Sequence, residues 1–173
     1  MPRTSLEADK AEILNLHREW WLSNEKLNVD RMVDNFAVGD SYFMFNLNKF
    51  SYFGVQEKVR LWEYLHQWDV DWTELETFLI TFEIWGDTAW LAVEGKALRK
   101  TSGPEGDRIL RFRSTEIYHR DDGAGAANWR IWHLHVSESA PVEAPRPGTA
   151  ETAEQHREFG SVAGRKPVRL LGA

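Results

Sequence analysis

At 173 residues, with 42% hydrophobic and 28% charged side chains, the chain is long enough for one globular domain with a sizeable core. Its net charge of −6 argues against a general nucleic-acid binder, because contacts to phosphates need a basic surface. The lack of cysteine excludes disulfides, thiolate metal sites and cysteine nucleophiles. No apolar run approaches the ~20 residues of a membrane span, and we read no secretory signal, so a cytoplasmic location is the default expectation.

The aromatic content is unusual for a chain of this size. Nine Trp and nine Phe supply more aromatic volume than a minimal core requires. Large flat side chains suit a ligand pocket or a subunit interface as well as a core. We therefore expect either a Trp-rich core or a site for a small hydrophobic or aromatic molecule.

Helical spacing of apolar residues predicts three helices, over residues 4–27, 29–36 and 54–68. Asn28 is a candidate cap for the second of them. In the first helix, a mixed aromatic and polar group lies at offsets of three, four and seven, namely His17, Trp20, Trp21 and Asn24. This spacing places the four side chains on neighbouring parts of one helix surface.

Aromatic and alternating segments predict five strands, over residues 41–47, 75–85, 88–100, 108–120 and 129–137. Helices thus come first in the chain, and a run of long strands joined by turns follows. This order predicts an α+β fold, with the helices packed on one face of a curved antiparallel sheet.

The composition changes after Ser137, where APVEAPRPGT contains three prolines in ten residues. We predict one domain over residues 1–140 and a Pro-rich linker with a C-terminal tail over residues 141–173. Residues 150–159 are a candidate short helix, and we expect residues 160–173 to be mobile. A flap over a pocket or an arm onto a partner subunit is the functional alternative for this tail.

Side-chain alternation in the last two strands separates an apolar face from a charged one. The apolar face carries a single carboxylate, Glu116, whose predicted neighbours are Phe112, Tyr118, Trp132, Leu134 and Val93. Burying a carboxylate there costs several kcal/mol unless it is protonated, hydrogen-bonded or at the wall of a wet cavity. Each of these suits a residue that transfers protons near neutral pH. A structural glutamate tied to a helix terminus or to an arginine is the alternative.

The opposite face collects the charged residues Glu94, Lys96, Arg111, Arg113, His133 and His135. We expect this face to form cross-strand ion pairs and a dimer interface. A metal site built from the two histidines and Glu94 is a weaker alternative. The sequence has no H-E-x-x-H, no Gly-rich phosphate loop and no G-x-S-x-G elbow, so we expect no metal and no cofactor.

Several motifs follow one another in the order of a known family: Trp20 in the first helix, YFG at 52–54, WGDTAWLA at 85–92, RSTEIYHRDDG at 113–123 and WRIWHLHVS at 129–137. Over roughly residues 5–140 the chain resembles the SnoaL-like branch of the nuclear transport factor 2-like superfamily. The resemblance implies a cone formed by a strongly bent antiparallel sheet and closed by three N-terminal helices. The last two motifs are also similar to the association domain of calcium/calmodulin-dependent kinases.

The resemblance implies a pocket between the concave face of the sheet and the helices. We expect a cofactor-independent enzyme that applies general acid/base chemistry to a hydrophobic aromatic substrate, as a lyase or a dehydratase/isomerase. A lignin-derived aryl-propane that loses formaldehyde, or a polyketide-like compound, would be such a substrate. The predicted catalytic residues are Glu116, His17 and Tyr42, and the predicted substrate-binding residues are Trp20, Trp21, Asn46, Trp62, Phe112, Tyr118 and Trp132.

The alternative implied by the kinase association domains is a module that binds a ligand or oligomerises without catalysis. The charged face would then serve the contact between subunits. Under both hypotheses we expect a homodimer or a higher homo-oligomer, with no nucleic-acid or membrane partner.

Overall fold

The computed structural model describes residues 5–139 and 168–172. The helices are α1 (Leu6–Ser23), α2 (Val29–Val33) and α3 (Gly54–His66). The strands are β1 (Phe43–Phe45), β2 (Ser51–Phe53), β3 (Asp71–Trp85), β4 (Thr88–Lys100), β5 (Arg108–Arg120), β6 (Trp129–Glu138) and β7 (Val168–Leu171). The predicted α+β class, with helices before the long strands, is confirmed.

The strands form one sheet in the order β2-β1-β6-β5-β4-β3-β7. All neighbouring strands are antiparallel except β1 and β6, which pair in parallel. The expectation of a purely antiparallel sheet was therefore wrong at this one pair. A tight hairpin forces opposite directions only on consecutive strands, and β1 and β6 are far apart in the chain.

Two short strands lie where the sequence indicated no regular structure. Strand β2 lies between the predicted strand 41–47 and the predicted helix 54–68, where no element was predicted, and it pairs with β1. Strand β7 lies in the tail that was expected to be mobile, and it adds to the edge of the sheet beside β3, with Leu171 buried in the core. The candidate helix at 150–159 lies outside the described residues.

Side-chain caps begin the first two helices. The Ser5 hydroxyl accepts a hydrogen bond from the Ala8 backbone at the start of α1, and the Asn28 side chain does the same for α2, as predicted. Helix α1 ends at Ser23 rather than at residue 27. The chain turns there because Lys26 and Leu27 adopt positive φ angles of 54° and 50°, which an α-helix cannot contain.

A buried polar cluster attaches α1 to the ends of β5 and β6. Arg120 pairs with Asp9 at 2.5 Å, and the Trp129 indole N–H donates to the same carboxylate at 3.2 Å. The Arg120 guanidinium also lies over the Trp129 ring, 4.6 Å from its centroid. These contacts satisfy a carboxylate that would be costly to bury alone, and they fix the helix across the sheet.

The alternation predicted for β5 is confirmed. The alternation predicted for β6 is interrupted by one bulged residue. Ile117 pairs with His133 and Tyr118 with Ile131, which leaves Trp132 in a bulge. A bulge inserts one residue and exchanges the two faces on its far side, so Ile131 is buried on the inner face. Trp132 was expected beside Glu116 and instead packs against His119, with ring centroids 5.2 Å apart.

Gly95 in β4 lies against the Phe112 ring, where the core leaves no space for a side chain. A Cβ atom there would lie 2.3 Å from the Phe112 ring and 2.8 Å from the Glu76 carbonyl oxygen. We expect Gly95→Ala to lower the free energy of unfolding by about 1–3 kcal/mol, because neither a ring packed in the core nor a backbone carbonyl can move aside freely. Urea denaturation measures this loss.

The matched control is Gly103→Ala in the β4–β5 connection. A Cβ atom at Gly103 would lie 3.2 Å from the Thr101 hydroxyl and no closer than 3.6 Å to any other atom. Equal stability of the two variants would contradict the packing described for Gly95.

Candidate functional site

A cavity of about 340 Å³ lies between helices α1 and α3 and the inner face of the sheet. Four indoles line it, those of Trp20, Trp21, Trp62 and Trp72. The polar residues of its wall are Asn24, Asn46, Asn48, Lys58, Arg99, Glu105 and Arg108. This size and lining, mostly apolar with a few polar groups, are typical of small-molecule sites, which measure roughly 300–1,000 Å³.

Glu116 lies on the inner face of β5 and is completely buried, as predicted. Its Oε1 accepts from the Trp21 indole N–H at 2.8 Å, and its Oε2 accepts from the Tyr118 hydroxyl and from His17 Nδ1, the latter at 2.9 Å. An ionised carboxylate only accepts hydrogen bonds, so His17 Nδ1–H is the donor in this contact when Glu116 is ionised. Both oxygens of the carboxylate are therefore satisfied within the protein.

The network continues on both sides of Glu116. The second ring nitrogen of His17 lies 2.9 Å from the Thr77 hydroxyl on β3, and the Ser114 hydroxyl makes a long contact of 3.4 Å with Glu116 Oε1. Helix α1, strand β3 and strand β5 are thus connected by one set of buried polar side chains. Thr77 was not among the site residues predicted from the sequence, and strand alternation gives no sign of its contact with His17.

Trp21 connects this network to the cavity. Its ring lines the cavity and stacks on Phe112, with centroids 4.6 Å apart, while its N–H bonds to Glu116. Glu116 and His17 are not part of the cavity wall. The structure therefore brings the predicted acid and histidine together but places them behind an indole. Their catalytic role stays a prediction.

The two buried tyrosines near Glu116 remain protonated at neutral pH. Burial, followed by the charge of Glu116, raises the pKa of Tyr42 well above 10, and the same two causes together with the hydrogen bond to Glu116 raise the pKa of Tyr118. The Tyr42 hydroxyl has no hydrogen-bond partner among the described residues. Neither phenol lines the cavity.

The predicted substrate-binding residues divide into three groups. Trp20, Trp21, Asn46 and Trp62 line the cavity. Phe112 and Tyr118 lie behind it in the core. Trp132 is on the other face of the sheet, because of the bulge in β6.

Lys58 on α3 lines the cavity and was not among the site residues predicted from the sequence. The side chain is 1% exposed, and Nζ lies 4.1 Å from the Trp20 ring centroid, 5.4 Å from that of Trp62 and 3.3 Å from the Met44 sulfur. Burial lowers the pKa of Lys58 from 10.5 to about 7. Among the described residues, no carboxylate forms an ion pair with this amine.

A signal for Lys58 was present in the sequence. The residue lies three positions after Val55 and four before Trp62, on the apolar stripe of the third helix. A lysine at such a position either extends its amine to the surface or is buried with it. Sequence spacing cannot distinguish these two outcomes.

The six residues of the predicted charged face lie on the face of the sheet that is opposite to the one carrying Glu116. Glu94 pairs in register with Arg113, and Lys96 with Arg111. His133 contacts Phe43, with ring centroids 4.2 Å apart, and its pKa is lowered by burial. Within residues 5–139 and 168–172, no group of three His, Cys, Asp or Glu is arranged to hold a metal ion.

A wider depression of about 720 Å³ lies outside the cone, beside the turn that follows α1. Lys26, Asp30, Arg31 and His66 are among its polar wall residues, and it contains none of the predicted site residues. We therefore take the indole-lined cavity as the candidate site. As for membrane insertion, no helix in the described parts of the chain combines the length and hydropathy needed to span a bilayer.

No protein-family model matches the sequence, and no curated protein matches it significantly. Solved structures do resemble it. A provisionally assigned dehydratase of the NTF2-like family from Streptomyces avermitilis superposes with a TM-score of 0.62 at 13% identity, over 79% of this chain and 100% of the other. A ketosteroid isomerase-like protein from Erwinia carotovora atroseptica gives 0.62 at 9% identity, over 76% and 96%.

A third similar structure is a provisionally assigned calcium/calmodulin-dependent protein kinase type II association domain from Thiobacillus denitrificans. It superposes with a TM-score of 0.56 at 18% identity, over 79% of this chain and 96% of the other. At these identities the likeness concerns the fold alone. It confirms the predicted fold and leaves the SnoaL-like branch a prediction.

Replacing Glu116 by Gln tests the buried network. The amide of Gln would offer a donor where the carboxylate accepts from Trp21, Tyr118 and His17, so at least one buried donor would lose its acceptor. We expect a loss of about 1–3 kcal/mol in the free energy of unfolding. Ser114→Ala, which removes only the 3.4 Å contact, is the control and should cost less. Equal losses would show that the network does not carry the stability assigned to it.

The pH dependence of stability tests the burial of Lys58. Between pH 7 and about 10, the unfolded chain holds a proton on this amine that the folded chain has released, so the free energy of unfolding rises with pH. Lys58→Met lacks this gain. From pH 7 to about 9.5, we expect wild type to gain about 3 kcal/mol relative to Lys58→Met in urea denaturation. Parallel pH profiles would contradict a buried amine.

Proposed function

We propose that this chain, which has the nuclear transport factor 2-like fold, is a cofactor-independent enzyme that acts on a small hydrophobic, aromatic molecule. The activity we favour is that of a lyase or of a dehydratase/isomerase. The observation that carries the proposal is the indole-lined cavity of about 340 Å³ that has the buried residue Lys58 among its lining residues.

Aromatic walls favour an aromatic ligand. Trp20 and Trp62 stack at 5.9 Å on the α1–α3 side of the cavity, and Trp21 is held in place by Phe112 and Glu116. Rings fixed in this way present flat apolar surfaces at little entropic cost on binding. A planar ligand of about one or two rings fits such a space.

Lys58 is the group that supports catalysis rather than binding alone. General acid/base catalysis is most efficient when the pKa of the group lies near the working pH, and burial brings the pKa of Lys58 to about 7. Lys58 lines the cavity, whereas Glu116 and His17 do not. We assign proton transfer to Lys58, and we assign to Glu116 the positioning of Trp21.

A second candidate function is a ligand-binding or oligomerisation module without catalysis. The outer face of the sheet favours it, because Phe43, Phe45 and Phe53 are exposed there next to His133 and His135. Exposed aromatic clusters are typical of protein interfaces. A homodimer through this face is compatible with both candidate functions.

The proposal predicts conversion of an aromatic compound by the purified chain and its loss in Lys58→Met. The test incubates the protein with a panel of phenolic, aryl-propane and polyketide-like compounds and follows each one by mass spectrometry. We expect at least one compound to be converted, and we expect Lys58→Met to slow its conversion by about 100-fold or more.

Lys10→Met is the matched control, because Lys10 lies on the exposed side of α1 and pairs only with Glu7 among the described residues. It should retain the wild-type rate. Binding without conversion, measured by quenching of Trp fluorescence, would favour the module instead. Full activity in Lys58→Met together with loss of activity in Glu116→Gln would indicate that Glu116 is the catalytic residue, as predicted from the sequence.

A further inference from the structure

We infer that Lys58 acts as a nucleophile, whose amine forms a covalent imine with an aldehyde or ketone group on an aromatic ligand in the cavity. The inference rests on the proposed function and specifies its substrate class. It assigns to this site a covalent step that proton transfer alone does not include.

The position of the amine is the first support. Lysine is a long, flexible residue whose amine normally reaches water, yet Lys58 is 1% exposed and points its Nζ among the rings of Trp20, Trp62 and Phe36. Trp20 and Trp62 themselves line the cavity. An apolar side chain would fill this place at lower cost, so stability does not explain the amine.

The bonding of the amine is the second support. An ammonium group has three hydrogens to donate, and the hydrogen bond observed for Lys58 goes to the Met44 sulfur, a weak acceptor. The aromatic rings give some stabilisation to the cation but offer no lone pair. Among the described residues, the amine therefore lacks the carboxylate that would hold its proton in an ordinary buried ion pair.

Burial has a direct chemical consequence for nucleophilicity. A lysine becomes a nucleophile only as the neutral amine, and desolvation in an apolar pocket is an established way to populate it. Because burial lowers the pKa of Lys58 to about 7, a large share of the molecules carry the free amine at neutral pH. At the same pH, only a very small fraction of an exposed lysine carries the free amine.

The step balances without a cofactor. Lys58 first releases a proton, and the Nζ lone pair attacks the carbonyl carbon while the carbonyl π electrons move to oxygen. One proton then passes from the nitrogen to the alkoxide to give a carbinolamine. The nitrogen lone pair forms the C=N bond as the hydroxyl takes up the proton released at the start and leaves as water. In total, one ammonium and one carbonyl give one iminium ion and one water.

The iminium ion links this step to the activities proposed above. Its positive nitrogen withdraws electrons through the C=N bond, so a C–H or C–C bond on the α carbon, next to the former carbonyl carbon, can break. The electron pair of that bond then forms a C=C bond, and the C=N π electrons move onto nitrogen to give an enamine. Breaking the C–H bond gives isomerisation or dehydration, and breaking the C–C bond gives a lyase reaction. One amine could therefore support each of the favoured classes.

Trp20 supplies a donor near the reacting atoms. Its indole N–H is buried without a hydrogen-bond partner among the described residues, and its ring is the one closest to Lys58 Nζ. A buried donor without an acceptor costs about 1–3 kcal/mol, so its presence needs an explanation. A ligand oxygen in the cavity would be the acceptor.

Reductive trapping tests the inference on the full chain. The protein is incubated at pH 7 with limiting benzaldehyde and sodium cyanoborohydride, and the labelled amines are located by peptide mapping. We expect Lys58 to gain a benzyl group at least about tenfold faster than any exposed lysine, because far more of it is neutral at that pH. The Lys58 rate should level off above about pH 7, whereas exposed lysines continue to gain up to about pH 10.

Two controls keep the result decisive. Lys58→Met should lose the fast label, and Lys10→Met should keep it. Benzyl alcohol, which has the same ring as benzaldehyde but no carbonyl, serves as a competitor with the wild-type protein. It should protect Lys58 from labelling but not the surface amines. This competition remains informative if Lys58→Met does not fold. Labelling of surface amines with Lys58 left unmodified, or a fast label retained in Lys58→Met, would overturn the inference.

The outcome separates this inference from the proposed function. Trapping at Lys58 with no compound of the panel converted would support the nucleophile and contradict the enzyme. Conversion of a compound that depends on Lys58 without any trapped adduct would support the enzyme and leave Lys58 as a proton-transfer group only.

Discussion

The hydrogen bond between the Trp21 indole and Glu116 is the contact on which the arrangement of the site depends. It joins the wall of the cavity to a completely buried polar network on the sheet. Stacking on Phe112 fixes the same indole from the side. A cavity wall held by both a hydrogen bond and a stacked ring is preorganised, so ligand binding does not have to order it. The carboxylate thus contributes to the site without touching it.

The sequence predicts the parts of this fold that follow unbroken patterns. Strict alternation along β5 identified Glu116 as a lone carboxylate on an apolar face, and helical spacing placed His17 and Trp21 on one surface; both groups meet in the structure. Alternation failed at Trp132, because one inserted residue reverses the faces and leaves no mark in the pattern. The parallel pairing of β1 with β6 also lacks a local signal, since it joins segments distant in the chain.

The sequence predicted several residues of the site, but it did not predict which of them line the cavity and which lie behind it. Four of the predicted substrate-binding residues line the cavity, but which side of Trp21 the cavity occupies depends on how α1 and α3 pack on the sheet. That packing depends on how side chains fill the space between the helices and the sheet, and the periodicity of the sequence does not encode this. For the same reason Lys58, an evident exception on the apolar stripe of its helix, could not be assigned to the surface or the interior from spacing.

Glu116 and Lys58 are both buried ionisable groups, and they differ in how completely the protein satisfies them. Glu116 receives donors on both oxygens from three side chains with rings, so its own acceptors are satisfied within the protein. Lys58 has a thioether and aromatic faces, which stabilise a cation poorly compared with an anionic partner. A structural polar group is retained because its partners hold it; a polar group left without strong partners lowers stability and persists only where it serves another purpose. By that reasoning we propose that Lys58 carries the chemistry of this cavity and that Glu116 belongs to the framework that shapes the cavity around it.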